Sequence, residues 1–70
     1  MLHVLLLDPD IRHRRAFQNM VQHDNLGYEV VTADTISDAI DRLYEQSFDI
    51  VVSELTVSDG DVFDLLKRYG

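Results

Sequence analysis

Apolar and polar positions fall in blocks along the chain, and the period changes from block to block. His3 to Leu7, HVLLL, is a continuous apolar run of strand length, as expected for a strand covered on both faces. Asp8-Pro9 stops it. Asp is a good N-cap and Pro suits the first helical position, so the pair also opens a helix. That helix runs to about His23, with Ala16, Phe17, Met20 and Val21 as its apolar stripe. His13 falls on the same side and reads as partly covered and structural. Asp24 to Gly27 is a turn, and Tyr28 to Thr32, YEVVT, is rich in strand formers. Thr35-Ile-Ser-Asp38 matches the capping box, the Thr hydroxyl holding an amide while the Asp reaches back. The helix it starts, about Ile36 to Gln46, points Ala39, Ile40 and Leu43 inward. Ser47 breaks it, and Phe48 to Ser53 is a third strand. After Ser58-Asp-Gly60, the residues Val62, Phe63, Leu65, Leu66 and Tyr69 recur at helical spacing, and Gly70 stands where a C′ glycine would sit.

The sum is β-α-β-α-β-α, and such alternation predicts an α/β fold with a parallel sheet and right-handed crossovers. No internal repeat, linker or low-complexity tract divides the chain.

Composition narrows the function. Seventy residues bury only about 60% of their unfolded surface, so stability is marginal without help. There is no cysteine, hence no disulfide or thiolate metal site, which fits a reducing cytoplasm. His3, His13 and His23 lie ten apart and do not converge on one helix face, so no zinc site is expected. Thirteen acidic against six basic residues give a formal −7, which argues against a nucleic-acid footprint. The local exception, RHRR at Arg12 to Arg15, reads as a solvated helix surface. Apolar runs fall well short of the ~20 residues of a membrane helix, and MLHVLLLDPD lacks a basic leader and a small-residue cleavage site. A cytoplasmic protein with no membrane or direct nucleic-acid partner is the expectation.

In their order and spacing, VLLLDPD, GYEVVTA, DAI, FDIVVSEL, and DG followed by VFDLLK resemble the first half of a response-regulator receiver domain. The resemblance implies that residues 1–70 form a receiver-like domain truncated to its N-terminal half. It implies a partial flavodoxin-like (CheY-like) fold with sheet order 2-1-3. It also implies a function: a receiver or pseudo-receiver in two-component signal transduction, regulating an output such as transcription, and no enzyme. Its partners would be a histidine kinase or an output domain.

The family's site carries over unevenly. Asp8 matches the first residue of the acidic cluster that binds Mg2+. Pro9 stands where a second acid is usual, with Asp10 beside it. Glu54 falls at the phosphoacceptor position, where phosphate-accepting receivers carry Asp. The implied cation set is therefore Asp8, Asp10 and Glu54, with Mg2+ as cofactor. The loop LTVSDG is shorter than usual and lacks Pro, and nothing here matches the family's switch Ser/Thr or its Lys at the ends of a fourth and fifth strand.

Physical chemistry points to the same edge. In an open parallel sheet, ligands bind beyond the carboxyl ends of the strands, where the strand order reverses. Asp8 and Glu54 end adjacent strands there, and grouped carboxylates repel one another unless a hard cation neutralises them. Glu54 carries its oxygens ~1.5 Å beyond an Asp's, one carbon–carbon bond further. A nucleophile so misplaced loses ~10²-fold or more in rate. Two readings of Glu54 stand: fixed charge holding a phosphate-independent state, or a solvated strand end. Asp8 likewise is a cation ligand or only the helix N-cap.

The 2-1-3 order also leaves the third strand as an edge. Phe48, Ile50, Val51 and Val52 then offer a pairing template, which predicts a two-fold homodimer joined through third strands or an exchange of elements. A flavin-carrier reading fails because Asp8-Pro9-Asp10 repels phosphate where such proteins cradle it. The remaining alternative is a structural, self-assembling half-domain without ligand chemistry.

Overall fold

The computed structural model describes residues 1–24, 27–54, 56–57 and 59–69, with 56, 57 and 62 by backbone alone. The elements are β1 (Leu2–Leu7), α1 (Ile11–His23), β2 (Tyr28–Ala33), α2 (Ile36–Glu45), β3 (Ile50–Ser53), β4 (Thr56–Val57), β5 (Gly60–Asp61) and α3 (Val62–Tyr69). Strands β1 to β3 form a parallel sheet in the order β2-β1-β3, the order the resemblance implies. Leu7 lies level with Ala33 on one side and Ser53 on the other, so all three strands end together. Gly70 lies outside the described residues, and so does its reading as a C′ glycine.

The central strand organises the core. Val4, Leu5, Leu6 and Leu7 are all buried, which matches an apolar run with no polar alternation. Leu5 and Leu7 face α2 and α3, packing with Ala33, Ile36, Ala39 and Leu65 and, at the margin, Val31, Ile40, Leu43 and Phe48. The other face is covered by α1 alone, and Val21 is the one buried residue of that helix. Ala16 and Met20 are exposed and Phe17 half-buried, so most of the expected α1 stripe is open. Among the described residues no further element packs on that side.

Several local expectations are corrected. Asp10, not Asp8, caps α1: its side chain accepts from the Arg12 amide at 2.9 Å, and the helix begins two residues later than Asp8-Pro9 suggests. Strand β3 starts at Ile50 rather than Phe48. Phe48 turns in against the core, while Asp49 already bonds to β1 through its amide to His3 O and its carboxylate to His3 N, both at 2.8 Å. The hairpin β4–β5 was not expected. It pairs Thr56 with Asp61 and Val57 with Gly60.

That hairpin explains how α2 and α3 are capped. Thr35 Oγ1 accepts from the Asp38 amide as the capping box requires, but Asp38 turns to Arg42 instead of reaching back. The other first-turn amides, of Ile36 and Ser37, go to the Asp59 carboxylate at 2.7 and 3.0 Å. The reciprocal box forms at α3: Asp61 Oδ1 accepts from the Phe63 and Asp64 amides, and Asp64 Oδ2 from the Asp61 amide. Gly60 precedes it with φ +148°, and a Cβ there would stand 2.6 Å from Asp64 Oδ2. That contact is with the end of a side chain that can turn away; it is the positive φ that favours glycine there.

Leu5→Ala, at 0% exposure, is expected to cost about 3 kcal/mol, a large share of what a domain this size holds. Leu66→Ala, at 63% exposure, should stay within about 0.5 kcal/mol. Urea denaturation followed by circular dichroism reads both; equal effects would place the core elsewhere.

Candidate functional site

Each strand of the sheet delivers an acid to its carboxyl edge: Asp8 after β1, Asp34 after β2 and Glu54 after β3. Parallel pairing carries on past the strand ends. The Asp8 amide donates to Ala33 O at 3.0 Å, and the Glu54 amide to Leu7 O at 3.1 Å. Asp8 and Glu54 are thereby fixed side by side on adjacent strand ends. Asp34 is turned to a separate polar hollow of about 250 Å³ with Arg14, Thr32, Asp38 and Arg42.

Asp8 is the one buried charged residue among the described residues, 6% exposed. Its Oδ1 accepts from the Asp10 amide at 2.9 Å, and Oδ2 lies 3.2 Å from His13 Nδ1. Arg14 reaches only its backbone, Nη1 donating to Asp8 O at 2.6 Å. Among the described residues, then, no lysine or arginine neutralises this carboxylate. A buried charge in that position is costly unless some cation compensates it.

Donor atoms of Asp8, His13 and Glu54 all lie within 4.8 Å of one another, close enough to share one metal ion. They line the mouth of an open depression of about 480 Å³ whose floor is Leu6, Ala16, Phe17, Met20 and Val52. His13 and Glu54 are exposed, so a ligand arriving from solvent meets them first.

Asp10 is placed differently from its expected partners. Arg12 holds both its carboxylate oxygens, Nε at 3.2 Å from Oδ1 and Nη2 at 2.8 Å from Oδ2. The Arg12 side chain and amide keep the Asp10 carboxyl well below the usual carboxylate range, and Asp10 in turn raises Arg12. His13 Nε2 stands 3.7 Å from Asp10 Oδ2, so the imidazole lies between the two acids.

His13 was expected to be a structural residue under partial cover; its side chain is instead 60% exposed and belongs to the site. The signal was present. With Asp10 as N-cap, His13 is the third helical residue, whose side chain reaches back over the N-terminus as the last residue of a capping box does. Starting the helix at Asp8 hid that. His3 and His23 stand apart, as the sequence spacing indicated, His3 near Glu29 at the amino end of β1 and His23 beside Asp24 at the end of α1.

Of the expected association edge, Ile50 and Val51 are each 42% exposed and Val52 38%. Val51 lines an apolar hollow of about 320 Å³ with Leu43, Leu65, Leu66 and Tyr69, on the face opposite Val52. Phe48 belongs to the core margin. Among the described residues no helix is long and apolar enough to cross a membrane.

No protein-family model, no curated protein and no solved structure matches this chain.

The lowered Asp10 carboxyl has a pH consequence. A group depressed in the folded state contributes stability above its unfolded value of about 4, and loses it as pH falls through the folded value. Urea midpoints of the wild type should therefore decline below about pH 4, and Asp10→Asn should flatten that decline while lowering the midpoint at neutral pH. Parallel acid limbs in the two proteins would show that the Arg12 pairing contributes nothing.

Proposed function

We propose that the chain is a receiver-like signalling module in which Glu54 supplies fixed negative charge where a phosphoryl group would stand, so that its output does not depend on phosphate transfer. The observation that carries this reading is the placement of Asp8 and Glu54 on adjacent strand ends at the carboxyl edge of a 2-1-3 sheet. A site of this kind binds and signals. Glu54 retains the carboxylate charge with a longer reach, as the resemblance to Asp-bearing receivers implies. It copies only part of a phosphate, which brings about −1.5 to −2 charge and three acceptors. Mg2+ is the cation the resemblance implies for this edge, and a histidine kinase or an attached output domain the partner.

The decisive titration uses beryllofluoride, a phosphoryl analogue, with Mg2+ and Mn2+ in parallel, on wild type and Glu54→Asp, followed by amide NMR shifts. The wild type should stay unmoved by beryllofluoride, and Glu54→Asp should gain shifts around Asp8 and Ser53. Silence in both would favour assembly without ligand chemistry.

A second reading, that the chain functions by self-assembly, is favoured by the exposed Ile50, Val51 and Val52 on an unpaired edge. We propose a two-fold dimer through β3 for it. The formal −7 on each copy opposes association at low salt, so dimerisation should strengthen as salt screens that repulsion. Sedimentation velocity at micromolar concentration tests this; a well-folded monomer at every salt concentration would remove the reading.

A further inference from the structure

Two of the three oxygen donors expected for Mg2+ are in place, and the third is not. Arg12 occupies both oxygens of Asp10, and the position beside Asp8 and Glu54 is taken by the His13 imidazole. Mg2+ demands hard oxygen ligands in near-octahedral order and keeps its waters. Imidazole nitrogen suits Zn2+, Ni2+ and their neighbours, whose affinity for mixed N/O sites rises along the Irving–Williams order.

We infer that Asp8, His13 and Glu54 form a mononuclear site selective for a borderline divalent transition ion of the Zn2+, Co2+ and Ni2+ class over Mg2+. The inference rests on the carboxyl edge being the ligand site, and adds His13 as the residue that sets which ion enters. The geometry supports it in three ways. Asp8 is buried and held by the Asp10 amide, so its carboxylate is aimed before any ion arrives. The 3.2 Å between Asp8 Oδ2 and His13 Nδ1 is close to the spacing of neighbouring donors around an ion with ligand bonds of about 2.1 Å. Glu54 is exposed at the depression, with a carboxylate oxygen within 4.8 Å of the donor atoms of Asp8 and His13. Three protein donors leave further positions to water or an incoming anion, as in open metal sites generally.

The same His13 contact also explains how the bare site holds together. With no ion bound, the imidazole hydrogen-bonds Asp8 through Nδ1 at 3.2 Å and stands 3.7 Å from Asp10 Oδ2 through Nε2.

Calorimetry with Zn2+, Ni2+ and Mg2+ chlorides on the full chain tests this, with Co2+ absorption reporting coordination. The expected result is one Zn2+ or Ni2+ per chain, bound about tenfold or more tighter than Mg2+. His13→Ala should lose that advantage, and His13→Asp should turn preference towards Mg2+. His13 is exposed, so circular dichroism should confirm that both variants stay folded. His3→Ala should change nothing, which separates the site from His3 beside Glu29 and Asp49. Equal affinity for Mg2+ and Zn2+, Zn2+ binding that survives His13→Ala, or loss of it in His3→Ala would each overturn the inference. The receiver-like reading fails separately. A Glu54→Asp response to beryllofluoride with Mg2+, together with equal wild-type affinity for Mg2+ and Zn2+, keeps that reading and removes this inference. Zn2+ bound through His13, with both the wild type and Glu54→Asp silent to beryllofluoride, does the reverse.

Discussion

Burial of β1 between two partners and two faces is the constraint on which the rest of the molecule depends. A strand paired on both edges has its backbone groups satisfied, and one covered on both faces has no side reserved for polar residues. Val4 to Leu7 meet that condition without a polar interruption. The register then follows: β2 and β3 align on β1, and the three strands end level. Asp8 is the first polar residue after this run, and it inherits the burial of the strand it terminates. The candidate site is thus a by-product of how the sheet ends.

Coverage of the two faces is unequal, and the candidate site lies on the thinner side. Leu5, Leu7, Ile36, Ala39 and Leu65 form a closed cluster beneath α2 and α3. On the other face α1 buries Val21 but leaves Ala16 and Met20 open, and the depression between α1 and β3 ends at Glu54. The α2–α3 side is locked further by Asp59, whose carboxyl the Ile36 and Ser37 amides hold below its ordinary range. Stability is therefore concentrated in one layer, and the other keeps both a solvent-facing site and an unpaired strand edge. Small domains rarely close both faces of a sheet, because surface grows faster than core as the chain shortens.

The element order was legible because it rests on patterns longer than one turn or one strand, whereas the 2-1-3 sheet order came only from the resemblance. HVLLL, YEVVT and the Ala39–Ile40–Leu43 spacing leave little choice of period. What escaped depended on single side chains. Asp8-Pro9 satisfies every local rule for a helix start, yet Asp10 two residues later satisfies it too, and the choice is made by tertiary burial of Asp8. Thr35-x-x-Asp38 gave half of its box because Asp59, twenty-odd residues away, supplies a carboxylate to the same amides. Long-range caps of this sort have no local signature. The Glu54 position was legible from strand end and register, but His13 was not, since its role follows from the helix start that was misplaced.

That displacement of two residues changes the chemistry of the edge. A helix starting at Asp8 would have turned His13 along the apolar stripe and left Asp8, Asp10 and Glu54 as an all-oxygen set. A helix starting after Asp10 spends Asp10 on the Arg12 amide and side chain, and brings the imidazole back over Asp8. The acidic character of the edge is then lower than its sequence implies: one carboxylate is paired with arginine and another lies against an imidazole. Arg12 and His13 belong to the RHRR run that reads as a solvated surface, and half of that run faces the acids of the strand end. A chain with a formal −7 thus places local cationic and imidazole groups where its carboxylates crowd most, and the ion that best completes the set is one that accepts nitrogen as readily as oxygen.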